Sequence, residues 1–401
     1  MMELPISMPT PPNWQADWKQ LRSVFSEWLE EMRQTPQHPV HHSEGDVLAH
    51  TQLVVEKLVT MDEFRQLSAE KRQILFMAAL LHDVGKTCTT KEDETGITAP
   101  HHASTGAKMV REHLWTQWNM AGTREKLLFR ETVCQLIHMH GKPPFFWDTA
   151  TADDTPNQGK TSAYLFSMAA HACLMPDFSL QLLFLLAKAD CAGKICPDQE
   201  EIMTRCETFA EYAQSLGCYD ALPSFADDYS RFAYLAGKTV SPEYKLFNPT
   251  WGTVTMMSGL PGTGKSTWIH NNLSDIPMVS LDEIRKLLKI SPEEPQGKVV
   301  QTGFDMAKSY LRAKTPFVWD ATNVRPDTRL ELARLFADYG AAVRIVYLET
   351  TPEEQRCRNH ARQAVVPEEV VDRMRSNLEP PRINEAHSVE WLCVASIETE
   401  H

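Results

Sequence analysis

The chain is 401 residues long with a formal net charge of −13, enough for two domains that each bury their own apolar core. A protein that coats long nucleic acid is excluded, because phosphate neutralisation calls for a basic surface, so any nucleic-acid substrate is gripped only at its end. No run of ~18 apolar residues offers a membrane span, and the opening MMELPISMPTPPNW lacks the basic flank and apolar stretch of a signal peptide, so a cytoplasmic protein without a membrane partner is expected.

From Trp14 to about Tyr234 apolar residues recur at three-to-four spacing, as in VLAHTQLVVEKLV and KRQILFMAALLHDVGK. Strand alternation is nearly absent, which predicts an all-α half. His50 lies in the first of these helices, and Leu81-His82-Asp83-Val84-Gly85-Lys86 ends the second. Farther on come His102 in HASTGA, His140 in HGKP and Asp190 in LLAKADCAGK. Two imidazoles and two carboxylates, His50, His82, Asp83 and Asp190, suit a divalent transition metal ion. His102 and His140 are enough for a second ion that shares Asp83, and two such ions activate water and clamp a phosphate oxygen. Lys86 has two readings, a phosphate contact and a solvent-exposed lysine. His41, His101 and His138 read as surface or helix-end residues beside the ligands.

These elements resemble the HD phosphohydrolase superfamily across about residues 40 to 195. The nearest likeness is to the HD domain appended to bacterial tRNA nucleotidyltransferases, in which HPEG precedes the first metal histidine as His42-Ser43-Glu44-Gly45 precedes His50 here. The resemblance implies hydrolysis of 2′,3′-cyclic and 2′-phosphates with Asp83 at the catalytic centre. Ser43 departs from the pattern, so His42 is left with a possible substrate role.

Residues 141 to 160, GKPPFFWDTATADDTPNQGK, concentrate helix breakers, acids and aromatics and predict a long loop bordering an active site as a lid. The nine cysteines contain no CxxC and read as reduced thiols. Near residue 240 short β-rich runs begin to alternate with helices, so the domains are expected at 1–240 and 241–401, the second an α/β fold. Its strands are expected at Thr253–Ser258, Pro277–Ser280, Phe317–Asp320, Ala342–Leu348 and Trp391–Ala395, in a parallel sheet. The formal charge is −10 before the boundary and −3 after it.

Gly259 to Thr267 read GLPGTGKST after a predicted strand and before a helix, the context of a phosphate-binding loop. Gly259, Gly262 and Gly264 permit close backbone approach, and the amides from Thr263 to Thr267 open the helix toward phosphate. Lys265 reaches the terminal phosphates of ATP or another NTP, and Ser266 can ligate Mg²⁺. Asp282 and Arg285, at i and i+3, face one point at the sheet's carboxyl edge. There a carboxylate accepts a hydroxyl proton while a guanidinium holds the acceptor phosphate. Asp320 has two readings, a water-mediated Mg²⁺ contact and a helix cap. Arg358 and Arg362, at i and i+4, are expected on one helical face as a lid over the nucleotide phosphates.

The loop, the Asp282–Arg285 pair, DATN, RNHAR, VVPEEVVDRM and EPP together resemble the P-loop polynucleotide 5′-kinases over about residues 250 to 382. That likeness implies that Asp282 is the general base and Arg285 the acceptor-phosphate ligand. The order of the two halves resembles the bacterial HD-Pnk end-healing enzymes over nearly the whole chain: an N-terminal all-α HD fold and a C-terminal α/β P-loop kinase fold. It implies RNA or DNA ends as substrate and a separate ligase to seal them, since no nucleotidyl-accepting lysine motif is visible. Two alternatives remain open, a nucleotide or nucleoside kinase with an HD nucleotidase, and one with an HD nucleotide sensor. The oligomeric state is left open.

Overall fold

The computed structural model describes residues 2–94, 96–150, 158–222, 224–238, 241–291, 294–362 and 364–394. The chain divides into two compact units, Met1–Met120 with Glu125–Pro223, and Ala121–Arg124 with Ser224–His401. The division lies upstream of residue 240 because the helix Asp228–Leu235 packs within the second unit. There Arg231 Nη2 donates to the His387 carbonyl at 2.5 Å, and the Phe232 ring stands 4.2 Å from the His387 imidazole.

In the first unit the helix Leu180–Gly193, LQLLFLLAKADCAG, is buried on nearly every side, so it occupies the centre, as an all-round apolar helix must. Helices Val47–Thr60, Ala69–Leu81 and Gln199–Ser215 pack around it. Their starts are set locally: Asp46, Ser68 and Ser179 each cap a helix by accepting a backbone N–H from its first turn. Where Gly193 meets Val47–Thr60, a Cβ would sit 2.9 Å from the Val54 amide nitrogen. The two backbones therefore run close enough for Asp190 to reach His50.

One short hairpin interrupts this helical unit. Strands β1 (Lys91–Asp93) and β2 (Gly96–Thr98) pair antiparallel, and three residues each are too few for periodicity to announce them. Within 141–160 the loop expectation is corrected in part. Phe146–Ala150 is helical and Gln158–Ala169 begins a second helix, while 151–157 lie outside the described residues. Phe146 explains the first helix: it is fully buried, stacked on Tyr164 at 5.5 Å and edge-to-face with Phe209 at 5.4 Å.

The second unit holds a five-stranded parallel sheet in the order β4 (Met278–Ser280), β5 (Val318–Asp320), β3 (Thr253–Ser258), β6 (Ala342–Glu349), β7 (Ser388–Cys393). Met256 of the central strand pairs with Trp319 on one side and Ile345 on the other. A parallel sheet covered on both faces needs continuous apolar strands, and β3 and β6 supply them in Val254, Met256, Met257, Val343, Ile345, Val346 and Leu348. Strand β7 starts at Ser388, ahead of the expected Trp391, and Ala395 lies outside the described residues. Among the described residues no helix is long and apolar enough to cross a membrane.

Candidate active sites

The first centre is built where three helices and two turns converge. His50 comes from Val47–Thr60, His82 and Asp83 from the end of Ala69–Leu81, and Asp190 from the central helix. His102 opens the helix His102–Thr116, and His140 follows Arg124–Met139. A glycine makes this convergence feasible. A Cβ on Gly85 would meet the His102 carbonyl at 2.1 Å, so only glycine lets the His82-Asp83 turn lie against the start of the His102 helix.

The two oxygens of Asp83 divide the imidazoles between them. Oδ2 lies 3.3 Å from His82 Nε2 and 3.7 Å from His50 Nε2, and Oδ1 lies 3.5 Å from His102 Nε2 and 3.7 Å from His140 Nε2. Asp190 Oδ1 completes the first group, 3.0 Å from His50 Nε2 and 3.9 Å from His82 Nε2. His82, His102 and His140 donate Nδ1–H to the carbonyls of Ala79, Ala99 and Ile137 at 2.8, 2.8 and 2.7 Å. With that tautomer set, their Nε2 lone pairs face carboxylate oxygens, acceptor against acceptor.

Such a meeting is repulsive unless a cation lies between. His82 Nε2 and Asp83 Oδ1 are buried without a hydrogen-bond partner among the described residues. Ligands about 2.1 Å from a common ion stand about 3.0 to 3.4 Å apart in octahedral or tetrahedral arrangement, close to the spacings here. The donor set therefore fits divalent metal, and His50, His82 and Asp190, and His82, Asp83 and His140, each form a metal-capable cluster.

Electrostatics keep the carboxylates charged. Burial opposes ionisation of Asp83, but Lys86 and the surrounding imidazoles outweigh it and hold the carboxyl well below the usual range. Asp190 behaves alike: burial is overcome by Lys194 and His50. Burial, reinforced by His82, pushes His140 down to about 3, leaving it a neutral imidazole.

Lys86 is buried with Nζ 2.7 Å from Asp83 Oδ2 and 2.7 Å from Gln37 Oε1, which overturns the solvent-exposed reading. His42 stands 2.8 Å from Glu44 Oε1, with its ring 4.9 Å from that of His50. His101 and His41 are exposed, as expected for them.

The second centre lies at the carboxyl edge of the parallel sheet. The loop after β3 carries Gly259 at φ 140°, where a Cβ would sit 2.4 Å from the Leu348 carbonyl oxygen, and Gly262 and Gly264 also have positive φ. Lys265 Nζ donates to the Gly259 and Leu260 carbonyls, both at 2.9 Å, and Thr263 Oγ1 donates to Leu260 at 2.9 Å. Burial lowers Lys265 to about 8. Ser266 and Thr267 are exposed in the first turn of Lys265–Asn272.

Asp282 follows Ser280, which caps the helix Leu281–Leu288. Its Oδ1 meets Arg285 Nη1 at 2.5 Å and its Oδ2 meets Arg362 Nη2 at 3.1 Å. Burial would raise the carboxyl, but Arg285 and Arg362 prevail and lower it. Arg358 pairs with Glu354 at 2.5 Å, and its Nη1 lies 3.4 Å from where a Cβ on Gly264 would be. The expectation that Arg358 and Arg362 share a helical face is corrected. The helix Pro352–His360 ends before Arg362, and the Asn359 side chain holds the turn by bonding Val366 N and O at 3.3 and 2.8 Å.

Asp320 does not cap a helix. It ends β5, the next helix starts at Pro326 behind Arg325, and Asp320 accepts from Ser280 Oγ at 3.3 Å. Burial raises its carboxyl, with Lys265 opposing. Asn323 of DATN is a brace: Nδ2 donates to Met257 at 2.7 Å, and its carbonyl accepts from Arg329 at 2.9 Å.

Four residues escaped sequence reasoning. Glu44, inside the HSEG stretch, stands 2.9 Å from His50 Nδ1, and Lys194 stands 3.1 Å from Asp190 Oδ2. Arg329 and Glu385 form a wholly buried pair at 2.6 and 3.0 Å across 56 residues. Proximity of HSEG to His50 was a usable signal for the first; one charged residue among many gave none for the others.

Comparison with known proteins agrees with this division. The family described as HD domain matches residues 47–151, and the family described as AAA domain matches residues 254–381. A multifunctional CCA protein of Halorhodospira halophila is 33% identical over 115 residues, covering 25% of this chain and 26% of that protein. The chain thus spans about a quarter of that curated relative's length. A solved structure from Chloroflexus aurantiacus, assigned as a kinase, aligns with 37% of this chain and 86% of its own at 17% identity and TM-score 0.30, too distant a likeness to carry an argument. The chain joins an N-terminal HD domain, helical and rich in metal-capable side chains, to a C-terminal P-loop domain of AAA type on a five-stranded parallel sheet.

Proposed function

We propose that the protein heals broken nucleic-acid ends. The P-loop unit transfers the γ-phosphate of ATP or another NTP to a polynucleotide 5′-hydroxyl, and the HD unit hydrolyses 2′,3′-cyclic, 2′- or 3′-phosphate ends. The observation that carries this reading is the carboxylate of Asp282 held between Arg285 and Arg362 at the sheet edge that also carries Lys265. A phosphodiester beside the 5′-hydroxyl draws a guanidinium off Asp282, which frees one oxygen to take the hydroxyl proton. Lys265 leaves the loop carbonyls for the terminal phosphates, and Arg358 approaches them from over Gly264. Ser266 and Asp320 would hold Mg²⁺, which would supply neutralisation of the triphosphate charge.

In the HD unit His50, His82, Asp83 and Asp190 would hold one divalent ion, and His102, His140 and Asp83 a second. Bound metal supplies an acidified water and neutralises phosphoryl charge. Lys86, within reach of Asp83 Oδ2, adds a positive charge beside the phosphate.

The acidic surface, −13 overall, favours a second reading in which both units act on free nucleotides. Incubating the protein with an RNA bearing a 5′-hydroxyl and a 2′,3′-cyclic phosphate, ATP and a panel of divalent metals, then resolving both ends, separates them. End healing requires conversion at both ends. Reaction of mononucleotides alone sinks it.

A further inference from the structure

Beside the HD centre, residues 38–45 form a tight turn. His42 N donates to the His38 carbonyl at 2.8 Å, Ser43 Oγ to the Pro39 carbonyl at 2.9 Å and Ser43 N to the Ile195 carbonyl at 2.9 Å. The Glu44 side chain is buried in this turn and both of its oxygens are engaged. Oε2 accepts from Ile195 N at 3.0 Å, and Oε1 stands 2.8 Å from His42 Nδ1 and 2.9 Å from His50 Nδ1. An ionised carboxylate can only accept, so the proton between Glu44 and His42 lies on Nδ1.

The other nitrogen of His42 is left over. Nε2 has no hydrogen-bond partner among the described residues and is not sealed from solvent, the side chain being 14% exposed. With Nδ1–H committed to Glu44, a neutral ring offers a lone pair at Nε2. Burial and the positive charges of Lys86 and Lys194 disfavour a second proton there. Such an acceptor repels phosphate oxygens and takes a hydroxyl hydrogen. Its position suits one hydroxyl in particular. The ring stands edge to face with His50 at 4.9 Å, which puts it within about 8 Å of an ion held about 2.1 Å from His50 Nε2. A hydroxyl on the carbon next to a metal-bound phosphate ester lies about 4 to 6 Å from the ion, and a hydrogen bond spans about 2.8 Å more.

We propose that His42 Nε2 accepts the ribose hydroxyl vicinal to the phosphate, so that the HD centre selects ribonucleotide ends over deoxyribonucleotide ends. A 3′-phosphate carries that hydroxyl on the 2′ carbon and a 2′-phosphate on the 3′ carbon, whereas a deoxyribose 3′-phosphate has none. A 2′,3′-cyclic phosphate gains it when water opens one P–O bond, so the contact acts on the monoester step. Glu44 is the positioning residue. One of its oxygens sets the His42 tautomer and also backs His50, which ties hydroxyl recognition to the metal-capable group. The inference rests on the reading of the HD unit as a phosphatase of nucleic-acid ends.

The test compares short oligonucleotides ending in a 3′-phosphate with a terminal 2′-hydroxyl, 2′-hydrogen or 2′-fluorine. Fluorine matches the hydroxyl in size and electron withdrawal but has no hydrogen to donate. Phosphate release is followed with a panel of divalent metals, and binding of the matching 3′-phosphorothioates is measured by calorimetry. The wild-type protein is expected to favour the hydroxyl over both analogues by about tenfold in kcat/KM and in affinity, the worth of one net hydrogen bond. His42→Ala is expected to erase that preference, and His42→Gln, whose amide oxygen reaches the Nε2 position, to keep part of it. A ring that only supports the turn, or one that donates to phosphate, would on removal slow all three substrates equally, and that result overturns the proposal. Thermal melts identify an alanine variant that has lost its fold, in which case the wild-type series and His42→Gln decide. Hydrolysis without a hydroxyl preference overturns the subsite while leaving the HD reading standing. A His42-dependent hydroxyl preference in binding, without phosphate release, keeps the subsite and removes that reading.

Discussion

Asp83 is the residue on which the HD centre turns, because its two oxygens face different pairs of imidazoles at 3.3 to 3.7 Å. Asp83→Asn replaces one oxygen with a donor and removes the charge. The expected result is loss of bound divalent metal, read by plasma emission spectrometry, together with a fall of at least about 100-fold in phosphate release, metal activation being worth several kcal/mol. Kinase turnover in that variant stays at the wild-type rate. Full metal content in the variant would refute this placement. In the second unit, Asp282→Asn keeps the shape but cannot accept a proton, so 5′-phosphorylation is expected to fall about 10²- to 10⁴-fold with nucleotide affinity nearly unchanged. Calorimetric titration of nucleotide checks the second half; a parallel loss of affinity would make Asp282 a nucleotide-binding group instead. The side chains gathered at this centre were legible because HD, the preceding helix histidine and LLAKAD carry local spacing. Which oxygen faces which ring was not, because tautomers and rotamers are set by carbonyls such as those of Ala79, Ala99 and Ile137.

At the scale of elements, the helix Pro326–Asp338 is tied to the turn Ile383–Glu385 by Arg329 and Glu385, both fully buried. Removing one partner strands the other's charge, so Arg329→Ala is expected to destabilise the P-loop unit by about 3 to 5 kcal/mol, measured by denaturant unfolding. His387 joins strands in the same region by accepting from Val343 N at 3.0 Å. Burial, reinforced by Lys238 and Arg231, lowers its pKa to about 4. Between about 6.5 and 4 the unfolded chain then binds a proton that the folded chain refuses, so stability falls as pH drops through that window. Melting of His387→Gln is expected to respond less to pH there; an identical acid profile would refute the assignment. The strands of the sheet were legible to within a few residues because buried parallel strands are apolar runs. The helix Phe146–Ala150 was not, since Pro143 and Pro144 argue for a loop until Phe146 finds Tyr164 and Phe209.

For the whole molecule, two units with separate cores predict two unfolding transitions in calorimetry. Mg²⁺ with ATP at about 100 times its Kd should raise one of them by about 2.7 kcal/mol and leave the other in place. A chelator should lower only the other, and a single transition answering to both would show one cooperative unit. Sequence by itself determined the two fold classes, the phosphate loop and the identities of the HD side chains, because each is written in residues a few positions apart. Only the tertiary structure decided that Arg362 reaches Asp282 across 80 residues, that Lys86 is buried on Asp83, that Asp320 caps nothing, and that Glu44 backs His50. The physical reason is reach. Periodicity and capping act within a turn or two of chain, whereas these contacts depend on how closely packed backbones approach, and at Gly85 and Gly193 that approach is set by the absence of a single carbon atom.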